Sequence, residues 1–226
     1  MNPHDVCVLI PGYNESRAIA GVVRSVQGLG FPVLVIDDGS TDSMAEKARE
    51  AGAEVLSYAP NQGKGMAIRR GIEWFLGQPL YRAAVLMDSD GQHDPADLQK
   101  FMEELDRPNV DFVIGNRMAD PQGMPLVRRL TNRFMSAILS WACGQRVPDT
   151  QCGYRAAKRE AFSKLKLETT RFEIESEMTL EAGRTGSKIV SVPVRSVYEG
   201  GSSNIHPARD TVRFFKFLFK YLSRHP

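Results

Sequence analysis

The chain has 226 residues, of which 42% are hydrophobic, and a formal net charge of +2 at pH 7. This size and composition are typical of one globular domain with a single core, and the near balance of charges does not favour a nucleic-acid partner. Three cysteines at irregular spacing form no metal-ligand pattern. Neither a signal peptide nor an 18-residue apolar run is visible, so we expect a cytoplasmic protein without a membrane span.

Short apolar runs alternate with helical patterns along the first half of the chain. Strands are predicted at residues 6–10, 33–36, 54–57, 83–87 and 111–115. Helices are predicted at residues 19–26 and 95–105, and residues 61–65 lead into another helix that runs through Phe75. This alternation predicts an α/β fold, with a mainly parallel, doubly wound sheet and helices on both of its faces. We expect one domain over residues 1–226.

Polar loops follow three of these strands, at the sheet edge where ligands bind in folds of this kind. They contain Tyr13, Asn14, Glu15, Asp37, Asp38, Asp88 and Asp90. Asp88 and Asp90 are alternate residues, so an extended chain projects them to the same side, where they could hold Mg²⁺ or Mn²⁺. The sequence Asp-Ser-Asp-Gly is also good turn chemistry, and this alternative stays open.

Two common nucleotide-binding classes do not fit the glycine-containing segments. Residues 61–65 read Asn-Gln-Gly-Lys-Gly, which lacks the spacing of a P-loop, and no Gly-x-Gly-x-x-Gly follows the first strand. A P-loop NTPase and a dinucleotide-dependent dehydrogenase are therefore disfavoured. Acids at the strand ends suit another task, in which one acid holds a base or ribose and a metal-bound pair holds a diphosphate.

Motifs in a fixed order carry a resemblance to a known family. They are PGYNE at 11–15, DDGSTD at 37–42, NQGKG at 61–65 and DSDGQH at 88–93. Together they resemble the family 2 inverting glycosyltransferases of the GT-A fold. Later motifs narrow the resemblance to the dolichyl- and polyprenyl-phosphate mannosyl- and glucosyltransferases: GNR at 115–117, RR at 128–129, DTQCGYR at 149–155 and GSSN at 201–204.

The resemblance and the chemistry of the loops together suggest roles for individual residues. The expected metal ligands are Asp88, Asp90 and Gln92, holding Mg²⁺ or Mn²⁺. The expected donor contacts are Pro11, Tyr13, Glu15, Asp38, Lys64, Asp88, Ser89 and Arg129. The expected catalytic residues are Asp90, Arg117 and Glu175, and the expected acceptor contacts are Arg128, Arg155 and Ser202. Ordinary structural or surface roles stay open for Glu15, Lys64, Arg117 and Arg155.

Glu175 illustrates how the acceptor decides the chemistry. An inverting transferase with a hydroxyl acceptor needs a general base, whereas a phosphate acceptor is already anionic at neutral pH. We therefore expect Glu175 to position groups or to act as a weak base, and a solvated acid at a helix start is the alternative. The lone histidines His93 and His206 are expected in loop or core roles.

Two amphipathic segments suggest a membrane surface. Residues 127–141 combine helically spaced apolar side chains with three arginines. Residues 207–224 form the stronger pattern, with a basic stripe (Arg209, Arg213, Lys216, Lys220 and Arg224) facing a wide phenylalanine-rich arc. This composition is typical of an interfacial anchor, and a helix docked on the domain or on a second subunit is the alternative.

The sequence thus predicts a metal-dependent enzyme that transfers a hexose, with inversion, from a GDP- or UDP-linked donor to a polyprenyl or dolichyl phosphate. A family 2 transferase with a saccharide acceptor and a non-catalytic nucleotide-sugar-binding protein are the alternatives. Expected partners are the membrane surface at its cytoplasmic face and either a second copy of the chain or a separate membrane subunit.

Overall fold

The computed structural model describes residues 1–195 and 207–224, so Ser202 and His206 lie outside the described residues. The described chain forms one seven-stranded sheet in the order β3-β2-β1-β4-β6-β5-β7. The strands are β1 (Val6–Gly12), β2 (Val33–Asp37), β3 (Glu54–Ser57), β4 (Ala83–Leu86), β5 (Phe112–Asn116), β6 (Arg155–Lys158) and β7 (Ile189–Pro193). β6 runs antiparallel to both of its neighbours, and the other pairs are parallel.

Helices cover the sheet, as the alternating pattern predicted. They are α1 (Ile19–Gln27), α2 (Met44–Glu50), α3 (Lys64–Leu76), α4 (Leu98–Leu105), α5 (Leu126–Ala142), α6 (Arg159–Lys164), α7 (Ile174–Arg184) and α8 (Pro207–Arg224). All residues of β1, β2 and β4 are buried, as expected for parallel strands covered on both faces. The predicted helix at 95–105 is divided, because a 3₁₀ turn at Pro95–Asp97 precedes α4.

The direction of β6 determines which loops meet. Parallel strands bring their carboxyl ends to one edge of the sheet, whereas an antiparallel strand begins there. Arg155, the first residue of β6, accordingly pairs with Leu86 at the end of β4 and with Ile114 in β5. The loop that precedes β6 is therefore delivered to the edge where Asp88 follows β4.

The start of α3 packs directly on the loop that precedes α7. Gly63 has a φ of 97°, which favours glycine, and a Cβ on it would lie 2.5 Å from the carbonyl oxygen of Thr170. A Cβ on Gly65 would lie 2.6 Å from the carbonyl carbon of Thr170. Two glycines thus allow the first and second halves of the chain to approach at backbone distance.

The last helix, α8, docks on the domain with one stripe and exposes another. Phe214 and Leu218 are buried, and the Tyr221 hydroxyl donates a hydrogen bond of 2.6 Å to Glu181 on α7. Phe215 and Phe219 remain exposed. Among the described residues, no helix has the length and apolar character needed to cross a bilayer.

Replacement of Gly65 by alanine tests the contact between the two halves. In an open helix this change would stabilise by up to about 1 kcal/mol. Here the added methyl meets the backbone of residues 170–171, so we expect Gly65→Ala to lower the free energy of unfolding by about 1–3 kcal/mol in urea denaturation. Gly21→Ala in α1 is the matched control, because nothing lies within 4 Å of its added Cβ and it should stabilise. Equal effects of the two changes would contradict this packing.

Candidate active site

A lysine lies between two carboxylates at the carboxyl edge of the sheet. The Lys64 Nζ atom is 2.7 Å from Asp88 Oδ1 and 2.8 Å from Glu175 Oε1. His93 Nε2 lies 3.1 Å from the other oxygen, Asp88 Oδ2. The side chains of Lys64 and Asp88 are 22% and 26% exposed, and that of Glu175 is 8% exposed. The structure therefore joins three predicted site residues, and adds His93, into one partly open cluster.

The charges of this cluster stabilise one another. Burial alone would raise the pKa of Asp88, but the ammonium of Lys64 and the hydrogen bond with His93 hold it well below its ordinary value. Burial would lower the pKa of Lys64, and the charges of Asp88 and Glu175 instead raise it above its ordinary value. At neutral pH the site therefore contains an ionised Asp88 and a charged Lys64.

Gly153, in the loop before β6, lies against the Asp88 carboxylate. A Cβ on Gly153 would be 2.6 Å from Asp88 Oδ2 and 2.8 Å from Oδ1. With Lys64 and His93 on its oxygens, Asp88 has little freedom to move away. Any residue larger than glycine at position 153 would displace Asp88. The sequence alone shows only that a glycine lies in a polar loop, and it does not show this contact.

Asp90 differs from Asp88, because the chain turns between them. Asp90 is exposed, and its Oδ1 accepts a hydrogen bond of 2.9 Å from the backbone N–H of Gln92. Asp88 and Asp90 therefore do not project to the same side of an extended segment. The Asp-Ser-Asp-Gly sequence forms a turn, which was the alternative interpretation. Glu15 lies near Asp90, since its pKa is raised by burial first and then by the charges of Asp90 and Asp42.

The residues around Asp90 fit a divalent ion that takes some of its ligands from the protein and the others from a substrate. Among residues 1–195 and 207–224, no three His, Cys, Asp or Glu side chains are grouped to hold a metal by themselves. No basic side chain of the described residues pairs with Asp90, so excess negative charge remains near Glu15. Mg²⁺ is usually held by one or two carboxylates together with substrate phosphates, and Asp88, Asp90 and the half-buried Gln92 can supply this protein share.

An open cavity of about 780 Å³ lies beside the ends of β1, β2 and β3. Tyr13 and Asp37 are among its lining residues. Asn14 fixes one rim, because its Oδ1 accepts a 2.8 Å hydrogen bond from the backbone N–H of Thr41. This volume is in the usual range for a small-molecule site.

Three of the predicted donor contacts, Asp38, Pro11 and Ser89, do not line this cavity. Asp38 is buried, and its two oxygens accept hydrogen bonds of 2.8 and 2.7 Å from the backbone N–H groups of Gln62 and Gly63. Asp38 therefore fixes the loop before α3, and Asp37 takes the place on the cavity that was expected for Asp38. Pro11 is buried inside β1 beside Ile36. Ser89 is also buried, near the end of β1.

Arg117 is held by an aspartate. Its Nε and Nη2 lie 2.8 and 2.9 Å from the two oxygens of Asp149, which is fully buried. Asn132 on α5 donates a further hydrogen bond of 2.7 Å to Asp149. The Arg117 guanidinium thus anchors α5 and the loop before β6, and its expected role in catalysis stays a prediction.

Arg155 is not placed to bind an acceptor, which corrects that expectation. Its side chain is fully buried, and its guanidinium donates to the backbone oxygens of Cys152, Glu175 and Thr150 and to the Thr179 hydroxyl. These donors are satisfied by the protein itself. Arg155 therefore fixes the start of α7, which carries Glu175, to the loop that carries Gly153.

The predicted pair Arg128 and Arg129 lies in the first turn of α5, and both side chains are half-buried. The Arg129 Nε atom is buried and has no hydrogen-bond partner among the described residues. Contacts of this pair with donor or acceptor phosphates stay predictions. The same holds for Ser202, which lies outside the described residues.

Comparison with known proteins identifies the family. A family model described as glycosyl transferase family 2 matches residues 7–166. The chain is a family 2 glycosyltransferase. Glycosyltransferase AglJ of Haloferax volcanii is 37% identical over 224 residues, which cover 96% of this chain and 72% of that protein. Undecaprenyl-phosphate mannosyltransferase of Micrococcus luteus is 30% identical over 210 residues, which cover 85% of this chain and 83% of that protein.

Solved structures confirm the fold of this glycosyltransferase. Glucosyl-3-phosphoglycerate synthase from Mycobacterium tuberculosis, in complex with Mn²⁺, UDP and phosphoglyceric acid, is similar with a TM-score of 0.71 at 20% identity. The match covers 93% of this chain and 74% of that chain. The predicted GT-A fold with a mainly parallel sheet is therefore confirmed.

Replacement of Arg155 by lysine tests its structural role. Lysine keeps the charge but cannot serve the four acceptors, and hydrogen bonds from a charged group contribute about 1.5–3 kcal/mol each. We expect Arg155→Lys to lower the free energy of unfolding by about 3 kcal/mol or more in urea denaturation. Arg133→Lys, on an exposed position of α5, should change it by less than about 0.5 kcal/mol. If the Arg155→Lys enzyme were as stable as wild type and only its KM for the acceptor were raised, Arg155 would instead be a residue that binds the acceptor.

Proposed function

We propose that this enzyme transfers a hexose of the mannose or glucose class from a nucleoside-diphosphate sugar to a polyprenyl or dolichyl phosphate, with inversion. The observation that carries the proposal is the position of the Asp88 cluster, between the open cavity and the second half of the chain. A related protein named as an undecaprenyl-phosphate mannosyltransferase supports the acceptor class. The reaction forms a bond between an acceptor phosphate oxygen and the anomeric carbon, and releases the nucleoside diphosphate.

The donor would bind along the first half of the sheet. The cavity has an exposed tyrosine, Tyr13, against which a base can stack, and Asp37, which can accept hydrogen bonds from a base or ribose. The diphosphate would then extend toward Asp90. The complex of a structurally similar synthase with UDP supports this placement, and GDP or UDP is the expected nucleotide.

A divalent ion, Mg²⁺ or Mn²⁺, would join Asp88, Asp90 and Gln92 to the diphosphate. When bound, it stabilises the negative charge that develops on the leaving nucleoside diphosphate. The Mn²⁺ in the similar synthase supports this proposal. The exposed Asp90 would bind the ion first, because both oxygens of Asp88 already have protein partners.

The environment of Glu175 favours a phosphate acceptor. Glu175 is buried and its Oε1 lies 2.8 Å from Lys64 Nζ, so it is engaged by a protein cation and is not placed as a free base for proton transfer from an acceptor. A hydroxyl acceptor would need that proton transfer, whereas a phosphate oxygen is already a nucleophile. We therefore assign Glu175 a positioning role through Lys64.

The acceptor lipid would be met by a surface that we name the aromatic face, formed by Phe134 and Trp141 on α5 and by Phe215, Phe219 and Leu222 on α8. The rings of Phe134 and Phe215 are 6.4 Å apart, and Trp141 and Leu222 line the same small cavity. Trp141 and Phe219 are 78% and 79% exposed. Exposed aromatic patches of this kind mark interaction sites.

Basic residues accompany the aromatic face. Arg133, Lys216 and Lys220 are exposed on the same two helices. Such a mixture suits the surface of an anionic membrane, where each basic side chain adds about 1 kcal/mol of attraction. We propose that the enzyme lies peripherally on the cytoplasmic face of the membrane, and a second copy or a membrane subunit is the alternative occupant.

Replacement of Asp90 by asparagine tests the metal and the activity together. We expect Asp90→Asn to weaken Mn²⁺-dependent binding of UDP or GDP by more than tenfold, because a charged ligand is lost. Release of nucleoside diphosphate in the presence of polyprenyl phosphate should fall in parallel, at unchanged melting temperature. Asp94→Asn removes one charge from the same loop and keeps the cap on Ala96, so it should behave as wild type.

The wild-type assay separates the alternatives. Release that depends on a saccharide instead of polyprenyl phosphate would favour the saccharide acceptor. Binding of nucleotide-sugar without release toward either acceptor would favour a non-catalytic protein. Full turnover by Asp90→Asn after chelation would contradict the metal assignment.

Replacement of Phe219 by serine tests the aromatic face. Burying one phenylalanine contributes about 1.5–3 kcal/mol, so we expect Phe219→Ser to weaken binding to anionic liposomes by about tenfold or more. Donor binding and melting temperature should not change, because Phe219 is exposed. Phe219→Leu keeps an apolar side chain and is the control.

Phe214→Ser should instead lower the melting temperature, since Phe214 is buried in the docked stripe. Unaltered liposome binding by Phe219→Ser would contradict a membrane role of this face.

A further inference from the structure

The Lys64 ammonium stands where a divalent ion would need to approach Asp88. It contacts Asp88 Oδ1 at 2.7 Å and Glu175 Oε1 at 2.8 Å, and His93 contacts the second Asp88 oxygen. A metal ion on Asp88 would therefore face a like charge at short range. Neither contact is fixed by the sequence motif alone, since Lys64 begins α3 and Glu175 lies on α7.

The position of Lys64 on its helix favours its pairing with carboxylates. Lys64 is the first residue of α3, and a helix amino terminus disfavours a positive charge. An anion at that helix end is favoured for the same reason. Lys64 is therefore stabilised by Asp88 and Glu175, and a diphosphate arriving at the start of α3 would offer it an equivalent partner.

We propose that Lys64 is a tethered cation that keeps a free divalent ion off Asp88 until the donor diphosphate arrives, so that metal and nucleotide bind as a coupled pair. The inference rests on the proposed function, because it concerns the same donor site. When the donor binds, the ammonium would pass from Asp88 to a phosphate oxygen, and the carboxylates of Asp88 and Asp90 would then both be available to hold the ion. Phosphate oxygens serve both cations at once, since they can accept from Lys64 and coordinate the metal.

The surroundings leave Lys64 able to make this transfer. Its side chain is 22% exposed, so the lysine lies at the edge of the cluster and is not enclosed by it. The exposed ring of Phe172 lies 6.0 Å from Nζ, at the outer limit of a cation–π contact, so it holds the ammonium only weakly. Glu175 is less exposed than Lys64 and contacts Nζ independently of Asp88, so it would remain a partner of the ammonium after the transfer and is a positioning residue.

A purely structural salt bridge is the competing account. It would join the loop after β4 and the start of α7 to α3, and Lys64 would stay on Asp88 when the nucleotide binds. The two accounts differ in the effect of the nucleotide: a structural bridge predicts the same gain in Mn²⁺ affinity for Lys64→Gln with and without nucleotide, whereas transfer of the ammonium predicts a gain only without nucleotide.

The test measures Mn²⁺ binding by calorimetry and by the electron paramagnetic resonance of free Mn²⁺, with and without UDP or GDP. Wild-type enzyme should bind Mn²⁺ at least tenfold more tightly with nucleotide than without it. Lys64→Gln should bind Mn²⁺ alone at least tenfold more tightly than wild type, and the further gain from nucleotide should be smaller than in wild type, because only the phosphate ligands remain to be added. Lys64→Arg keeps the charge and should retain the dependence on nucleotide.

A matched control removes a neighbouring positive charge without touching the carboxylates. Lys47 Nζ donates to the backbone oxygen of Ser16 at 2.9 Å, beside the donor loops. Lys47→Gln should leave the affinity for Mn²⁺ alone unchanged. A gain equal to that of Lys64→Gln would show that net charge and not the position of Lys64 is responsible, and would overturn the proposal.

The outcomes separate this inference from the proposed function. Absence of Mn²⁺ binding to wild type even with UDP or GDP would overturn the proposed function together with the inference. Coupled binding in wild type without a gain in Lys64→Gln would overturn the inference alone. Tight binding of Mn²⁺ to nucleotide-free wild type would also overturn it, and this measurement needs no variant to fold.

Discussion

An ionised carboxylate at the end of a buried strand is the constraint on which the site depends. Asp88 follows β4, whose four residues are all buried, and so its charge must be compensated by the loops that meet there. Lys64 supplies the charge, His93 supplies a hydrogen bond, and Gly153 leaves the space. Three separate segments of the chain are thereby fixed around one side chain.

The same constraint connects the two halves of the enzyme. Arg155 ties the loop that carries Gly153 to the helix that carries Glu175, and Arg117 with Asp149 ties that loop to α5. The donor cavity lies in the first half, and the aromatic face is built by α5 and α8. Buried arginines thus connect the segments around Asp88 to α5, one of the two helices of the surface that we assign to the lipid.

The sequence predicts the sheet of the first half and the loops of the site, because apolar periodicity and acids at strand ends are local signals. It does not predict β6, whose Arg-Ala-Ala-Lys sequence has no strand pattern and is paired only through its neighbours. The sequence also does not show which of Asp37 and Asp38 lines the cavity. Nor does it show that Lys64 contacts Glu175, which lies more than 100 residues further along the chain. These facts depend on tertiary contacts that no short segment specifies.

The pairing of β7 with β5 has a consequence for how the chain can be divided. β7 (Ile189–Pro193) supplies the parallel neighbour of β5, yet it lies beyond residues 7–166 that match the family model. A chain cut at residue 166 would leave β5 as an unpaired edge and would remove the partner of Lys64 on α7. The segment that matches the family model therefore contains neither the strand that covers β5 nor the helix that pairs with Lys64, and its newly exposed edge at β5 would be open to pairing with another chain.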